Sequence, residues 1–203
     1  EETKPAKQSL VMHVCLRFDQ PIKKQSFLDQ DLVLDFEQSQ LQFSLATSFI
    51  SEEQALINLP QSSFDELKEE TKRDWEYFLH RFDIVDQGKI DRRMFDQALY
   101  RLFLFPQTFY ELDAEGQEIH WYFSHQTVQP GKLFTNIGFW DVFRTSFPLL
   151  ALMAPDTYHD FLEGFLNFYK ETGFLPKWLA PDERGMMPGT LIDGVIADAA
   201  AKN

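Results

Sequence analysis

The sequence predicts a mixed, mainly α fold: the end of an antiparallel β-sandwich, then a helical linker, then the opening hairpins of a helical toroid. Three observations carry that prediction. Apolar residues alternate with period two up to about Phe49 and recur at helical spacing after it. The later helices, each roughly 15 residues long, are joined alternately by tight turns and by longer aromatic and acidic loops, as in an array of helical hairpins. No repeat of fixed length is evident, which disfavours a simple solenoid and leaves an incomplete toroid as the better fit.

Composition sets outer limits. A chain of 203 residues with 44% hydrophobic content can bury a substantial core, and its 21 phenylalanines suit wide interfaces between packed elements. The balance of 32 acidic to 19 basic residues, a net charge of −13, argues against a nucleic-acid partner, whose phosphates need clustered Lys and Arg. Cys15 is the single cysteine and has no partner for an intrachain disulfide; in an alternating pattern a small buried thiol is its ordinary role. The opening EETKPAKQSL has neither a basic segment leading into an apolar run nor the length to span a bilayer, so no membrane segment is expected.

Taken in order, Leu10, Met12, Val14, Leu16 and Phe18 define a first strand ended by Gln20-Pro21. Leu32, Leu34 and Phe36 define a second, and Leu41, Phe43, Leu45 and Phe49 a third, across the polar connection Glu37 to Gln40. Three antiparallel strands with one apolar face must pack on something, as the tail of a larger sandwich would. His13 reads as a strand-surface histidine. At Ser51 the period changes. Ser51-Glu52-Glu53-Gln54 is a capping box opening a short helix that Pro60 stops, and Ser63-Phe64-Asp65-Glu66 is a second box. It opens a helix with Leu67, Trp75, Phe78, Leu79 and Phe82 at helical spacing and a solvated charged face opposite.

Asp91 to Phe103 is helical through Met94, Phe95, Ala98, Leu99 and Leu102, ending near Phe105-Pro106 because a residue before proline avoids the α region. Thr108 to Tyr110 and Ile119 to Phe123 flank Asp113-Ala114-Glu115-Gly116, a hairpin turn with glycine supplying the positive φ. His120 and His125 lack a third ligand at zinc-like spacing, so a metal is not expected on them. Helices are expected from Gly138 to Met153 and from Thr157 to Glu171, the second capped by Asp156 and ended by Gly173. In it Tyr158, Phe161, Leu162, Phe165, Leu166 and Tyr169 form an apolar stripe of core character. A last helix begins near Thr190 with Ile192, Val195, Ile196 and Ala199 inward.

Two places could carry chemistry. The loop Pro181-Asp182-Glu183-Arg184-Gly185 is the most charged interruption between apolar elements. Glu183 could donate a proton, its pKa raised by Asp182 and partial burial and lowered by Arg184; the bare pattern favours an exposed Asp-Glu-Arg turn over that role. Trp140-Asp141 sets an aromatic face for sugar C–H groups beside a carboxylate for sugar hydroxyls, with Arg144 one turn on to orient that carboxylate or bridge to solvent. An aspartate at a helix start also suits the helix dipole, and composition alone leaves both readings open. There is no glycine-rich phosphate loop, no G-x-S-x-G elbow and no Cys/His nucleophile arrangement.

Four stretches resemble glycoside hydrolase family 92, the calcium-dependent exo-α-mannosidases. They are Ser48-Phe49-Ile50-Ser51-Glu52-Glu53-Gln54-Ala55; Met94-Phe95 with Ala98-Leu99-Tyr100-Arg101; Gly138-Phe139-Trp140-Asp141-Val142-Phe143-Arg144-Thr145; and Glu183-Arg184-Gly185 followed by Val195-Ile196-Ala197-Asp198-Ala199. The resemblance implies the terminal strands of a β-sandwich over 1–50, a helical linker over 51–90 and the first part of an (α/α)6 catalytic domain over 91–203. It implies release of terminal α-linked mannose, with α-1,2 linkages the expected target, from a mannose-containing glycan by an inverting, calcium-assisted mechanism. Glu183 is then the general acid, Trp140 and Asp141 hold the terminal mannose, and Trp178 lines the same cavity. Asp182 stands where many members carry Asn, which bears on the acid's pKa. The base and most calcium ligands are expected beyond Asn203, so this chain alone is expected to be inactive unless the remaining part of the catalytic domain completes it. The rival readings are a non-catalytic carbohydrate-binding or structural module and another helical-toroid glycosidase.

Overall fold

The computed structural model describes residues 10–82, 84–85, 88, 91–181 and 186–202, and divides the chain into two compact units, 1–61 and 62–203. It is a mixed fold of helices and antiparallel strands, as the two periodicities require.

The first unit contains β1 (His13–Phe18), β2 (Lys24–Leu28), β3 (Asp31–Asp35), β4 (Phe43–Ser48) and the short helix α1 (Glu52–Ile57). β1 pairs antiparallel with β4, setting Val14, Leu16 and Phe18 opposite Thr47, Leu45 and Phe43 on one face. The other face, with Cys15 opposite Ala46, packs under α1, where Ala46, Ser48, Ala55 and Leu59 are buried. The Ser51 hydroxyl caps α1 by accepting the Gln54 N–H at 3.1 Å. His13 sits half-buried in β1.

Four strands replace the expected three. Lys24 to Leu28 is a strand, paired with β3 in a hairpin whose turn places Asp29 at φ 53°. Its KQSFL sequence has no alternation, because neither hairpin strand contributes to a buried face that would impose one. β1 also begins at His13 rather than Leu10.

The second unit opens with α2 (Phe64–Leu79), whose capping box is complete: Ser63 N–H donates to Glu66 Oε2 at 2.8 Å and Glu66 N–H to Ser63 Oγ at 3.4 Å. Its apolar stripe meets α3 (Arg92–Leu102), with Trp75 against Tyr100 at 4.5 Å between ring centroids and Phe78 against Phe103 at 4.7 Å. β5 (Gln107–Thr108) follows, then β6 (Tyr110–Leu112), β7 (Glu118–Tyr122) and β8 (Thr127–Pro130) as an antiparallel meander. The expected turn closes β6 to β7: Asp113 Oδ1 accepts the N–H groups of Glu115 and Gln117, and Gly116 takes φ 77°. β8 escapes the sequence pattern because it is four residues ending in proline.

β9 (Phe134–Thr135) pairs with β5, and a left-handed Asn136 leads into β10 (Ile137–Gly138). The helix expected over residues 138–153 is two helices, α4 (Phe139–Val142) and α5 (Ser146–Met153). Pro148 explains the break. Its ring would meet the carbonyl of Arg144 and it has no N–H to donate, so the chain restarts and takes the proline into the first turn of α5.

α6 (Pro155–Thr172) is the longest element described. Asp156 is not its cap: Pro155 occupies the first helical position, Ala154 is the N-cap, and Asp156 lies in the first turn, where it suits the helix dipole. Gly173, at φ 79°, ends it. The buried line is Tyr158, Phe161, Gly164, Phe165 and Phe168; Leu162 is half-buried, while Leu166 and Tyr169 are exposed, so the core stripe is narrower than expected and turned toward Phe168. β11 (Trp178–Leu179) pairs with β10, and α7 (Ile192–Lys202) buries Ile192, Val195 and Ala199. The hydroxyl of Tyr158 donates to the Val195 carbonyl at 2.9 Å, tying α6 to α7. No helix among the described residues is long and apolar enough to cross a membrane.

Candidate active site

The candidate site is anchored by Phe139, fully buried at the start of α4. Its ring packs on Phe147 of α5 at 6.1 Å and on Phe165 of α6 at 5.1 Å between centroids. With Phe139 held inward, the next two residues of the turn, Trp140 and Asp141, are set outward and exposed. Trp140 keeps 43% of its surface accessible, high for an indole and available to stack on a ligand.

The β10–β11 pairing adds a second side chain. Gly138 lies directly opposite Trp178, and the adjacent Leu179 and Ala180 are buried, so the strand that carries the indole is fixed from below. Both Trp178 and Asp141 reach the space over Gly138. A Cβ there would lie 2.4 Å from Trp178 Cδ1, 2.6 Å from its Nε1 and 2.8 Å from Asp141 Oδ2. An indole N–H donor and a carboxylate acceptor therefore converge over one backbone position, and the exposed Trp140 is the chain neighbour of Asp141.

Of the predicted site residues, Asp141 and Trp178 come together over Gly138, and Trp140 is exposed next to Asp141 in the chain; Glu183 lies outside the described residues, as do Asp182 and Arg184. Arg144 does not orient Asp141: its guanidinium lies over the Phe143 ring at 4.8 Å. Among the described residues Asp141 has no hydrogen-bond or ion-pair partner. The sequence pattern marks Gly138 only as a helix start. Its signal was present, since a glycine in an extended stretch beside an aromatic and acidic pair marks a close backbone approach.

The other polar clusters are mostly paired internally, although Glu171 Oε2 and Thr135 Oγ1 are buried with no hydrogen-bond partner among the described residues. His120 is fully buried, with Nδ1 2.8 Å from the Gly131 carbonyl and Nε2 2.8 Å from the Glu171 carboxylate, and His125 stacks on Tyr122. Lys132 Nζ donates to Asp160 at 2.6 Å and lies 3.5 Å from Glu118 and 3.4 Å from Glu163, so these carboxylates already hold a cation. Among the described residues no group of three or more His, Cys, Asp or Glu side chains could hold a metal ion, so the calcium implied by the resemblance does not find a ligand set here. A cavity of about 370 Å³ elsewhere in the unit, walled by Trp75, Phe78, Phe103, Tyr110, Phe134 and Phe161 among others, shares no residue with the Gly138 cluster.

An exposed indole, a second indole and a carboxylate with no partner among the described residues lie on a helix–strand junction of a mixed α and antiparallel β scaffold. Residues 49–203 match the model of the glycosyl hydrolase family 92 catalytic domain, and the chain belongs to that family. It is similar to the structure of the family GH92 inverting mannosidase BT2199 from Bacteroides thetaiotaomicron VPI-5482, with 28% identity and a TM-score of 0.85 over 94% of this chain and 29% of that one. The family GH92 α-mannosidase BT3965 from Bacteroides thetaiotaomicron shares the fold, with 21% identity and a TM-score of 0.71 over 92% of this chain and 28% of that one. That enzyme is also known in complex with mannoimidazole. No curated protein matches. The chain spans under a third of the length of the structures it matches.

Proposed function

We propose that this chain is part of an exo-acting α-mannosidase that releases terminal α-linked mannose, α-1,2 linkages being the expected target, with inversion at the anomeric carbon. The observation that carries the reading is the convergence of Asp141 and Trp178 over Gly138, beside Trp140, in a family 92 chain. Trp140 and Trp178 offer faces to the sugar's C–H groups, and Asp141 accepts from its hydroxyls.

Inversion needs two carboxyl groups on opposite sides of the ring, spaced to leave room for a water. Glu183 takes the part of the acid, protonating the glycosidic oxygen as the bond to the anomeric carbon breaks. The base that takes the water's proton comes from beyond these 203 residues. Calcium would likewise draw its ligands from outside the described residues, and no step here is routed through it.

The domain reading follows the same line: 1–50 as the last strands of a β-sandwich, 51–90 as linker, 91–203 as the first hairpins of an (α/α)6 toroid. The sandwich is supported by the solvent-facing apolar surface of Val14, Leu16, Phe43 and Leu45, each at least 43% exposed, which further strands would cover.

Glu183→Gln in the full-length protein tests the acid. The expected result is a fall in kcat of about 10²–10⁴-fold on an unactivated mannobiose, and much less on an aryl mannoside whose leaving group needs no proton. Equal losses on both substrates, or near-normal turnover of the disaccharide, contradict the assignment.

A further inference from the structure

Gly138 has an extended backbone, φ −103° and ψ 110°, which any residue adopts. Its place as N-cap of α4 does not call for glycine either, since Ser, Thr, Asp and Asn serve at least as well there and no side chain caps this helix. Space is the remaining reason. The three contacts a Cβ would make, 2.4, 2.6 and 2.8 Å, all fall below the 3.0 Å that real Cβ atoms essentially never breach. Retreat by the backbone is blocked, because β11 is paired to β10 and Leu179 is buried beneath it. The indole and the carboxylate would have to turn away.

We propose that Gly138 is a positioning residue whose missing side chain lets the Trp178 N–H and the Asp141 carboxylate converge on a single sugar hydroxyl. The two groups are complementary in role: the indole N–H only donates and the carboxylate only accepts, so a hydroxyl between them accepts from one and donates to the other. A hydrogen, fluorine or ether at that carbon satisfies at most one of the two. The proposal rests on the reading of Asp141 and Trp178 as sugar contacts.

The test is a calorimetric titration of the full-length protein with mannoimidazole, run beside the ¹⁵N-indole NMR signals. Gly138→Ala is expected to weaken binding by roughly ten- to a hundredfold, as misplacement by about an ångström does, with the Trp178 indole resonance shifted and the melting temperature little changed. Gly138→Ser is expected to do the same, since its hydroxyl can cap α4 but its Cβ is identically placed; binding as tight as the wild type in this variant overturns the proposal in favour of a capping role. Removing the ring supplies the second control. On a Trp178→Ala background the loss from Gly138→Ala shrinks, and an equal loss on both backgrounds overturns the proposal. If Gly138→Ala alone fails to fold, Gly138→Ala/Trp178→Ala, relieved of the two indole contacts, should fold; failure of both shows that the glycine serves packing rather than the indole. An unmoved Trp178 resonance in Gly138→Ala rejects the positioning claim whatever the ligand does. Absence of binding by the wild type, with the resonance still shifted in the variant, instead rejects the sugar reading on which the hydroxyl assignment rests.

Discussion

Lys132 and Asp141 belong to the same unit, but their charges meet opposite conditions. Lys132 sits with its side chain 15% exposed among Asp160, Glu118 and Glu163. Asp141 is exposed on the first turn of α4 with no partner among the described residues, although Phe139 beneath it is buried without remainder. The first arrangement is internally paired: one ammonium is shared by three carboxylates, so it holds β7, the β8–β9 connection and α6 together. The second has a buried aromatic beneath it and no counter-charge among the described residues. A charged group held in place by a buried neighbour and paired with nothing nearby is where a ligand can contribute the missing hydrogen bonds.

Exchanging the two sites' charges should therefore separate binding from stability. The largest effect is expected at Asp141. Asp141→Asn keeps the shape and removes the charge, and should weaken mannoimidazole binding by the worth of a hydrogen bond to a charged group, about 1.5–3 kcal/mol, with the melting temperature unchanged. Calorimetry beside a thermal melt checks both halves. A destabilised but tightly binding variant would break the comparison.

Lys132→Met should do the reverse. It leaves three carboxylates facing one another, and a loss of about 2 kcal/mol in urea unfolding at neutral pH is expected, below the full cost of a broken buried pair because the carboxylates are 36–43% exposed and screened. Sugar affinity should not move. The Asp160 hydrogen bond, with further help from the nearby carboxylates, pushes the Lys132 ammonium above its ordinary pKa. Its contribution is therefore fully present below the ordinary lysine range and lost only as pH climbs through the raised folded-state value.

The smallest effect belongs to Tyr158. Tyr158→Phe loses the bond to the Val195 carbonyl, worth about 1 kcal/mol in the same unfolding assay. Burial, with Asp198 adding to it, pushes the phenol up to about 12 from 10.0. The wild type thus keeps the tyrosine's contribution below pH 10 and loses it as pH rises toward 12; the Phe variant should show a shallower alkaline decline. Identical alkaline curves would show that the hydroxyl does not link α6 to α7 in solution.

Much of this was legible in local chemistry. Ser63 with Glu66, Asp91, Gly116 and Gly173 each act within a few residues of themselves, and each does in the structure what its residue type requires. The Trp140-Asp141 pair was legible as an aromatic and acidic pair on a helix start, and both residues are exposed there. Less legible were features that depend on distant pairing. Trp178 reaches Gly138 only through the two-residue β10–β11 bridge, too short for periodicity to show. The split between α4 and α5 was signalled by Pro148 but hidden under a continuous apolar pattern. The extra strand β2 lacked alternation because no buried face demanded it. The partner of the buried His120, Glu171, is 51 residues away and no local rule names it.

The most direct test of the central claim is a crystal structure of the full-length protein with mannoimidazole bound. The account predicts the sugar ring beside Trp140, one hydroxyl within hydrogen-bond distance of both Asp141 Oδ2 and Trp178 Nε1, and Glu183 on the side of the glycosidic oxygen. A ring bound away from Gly138, with Asp141 touching only water, would contradict it.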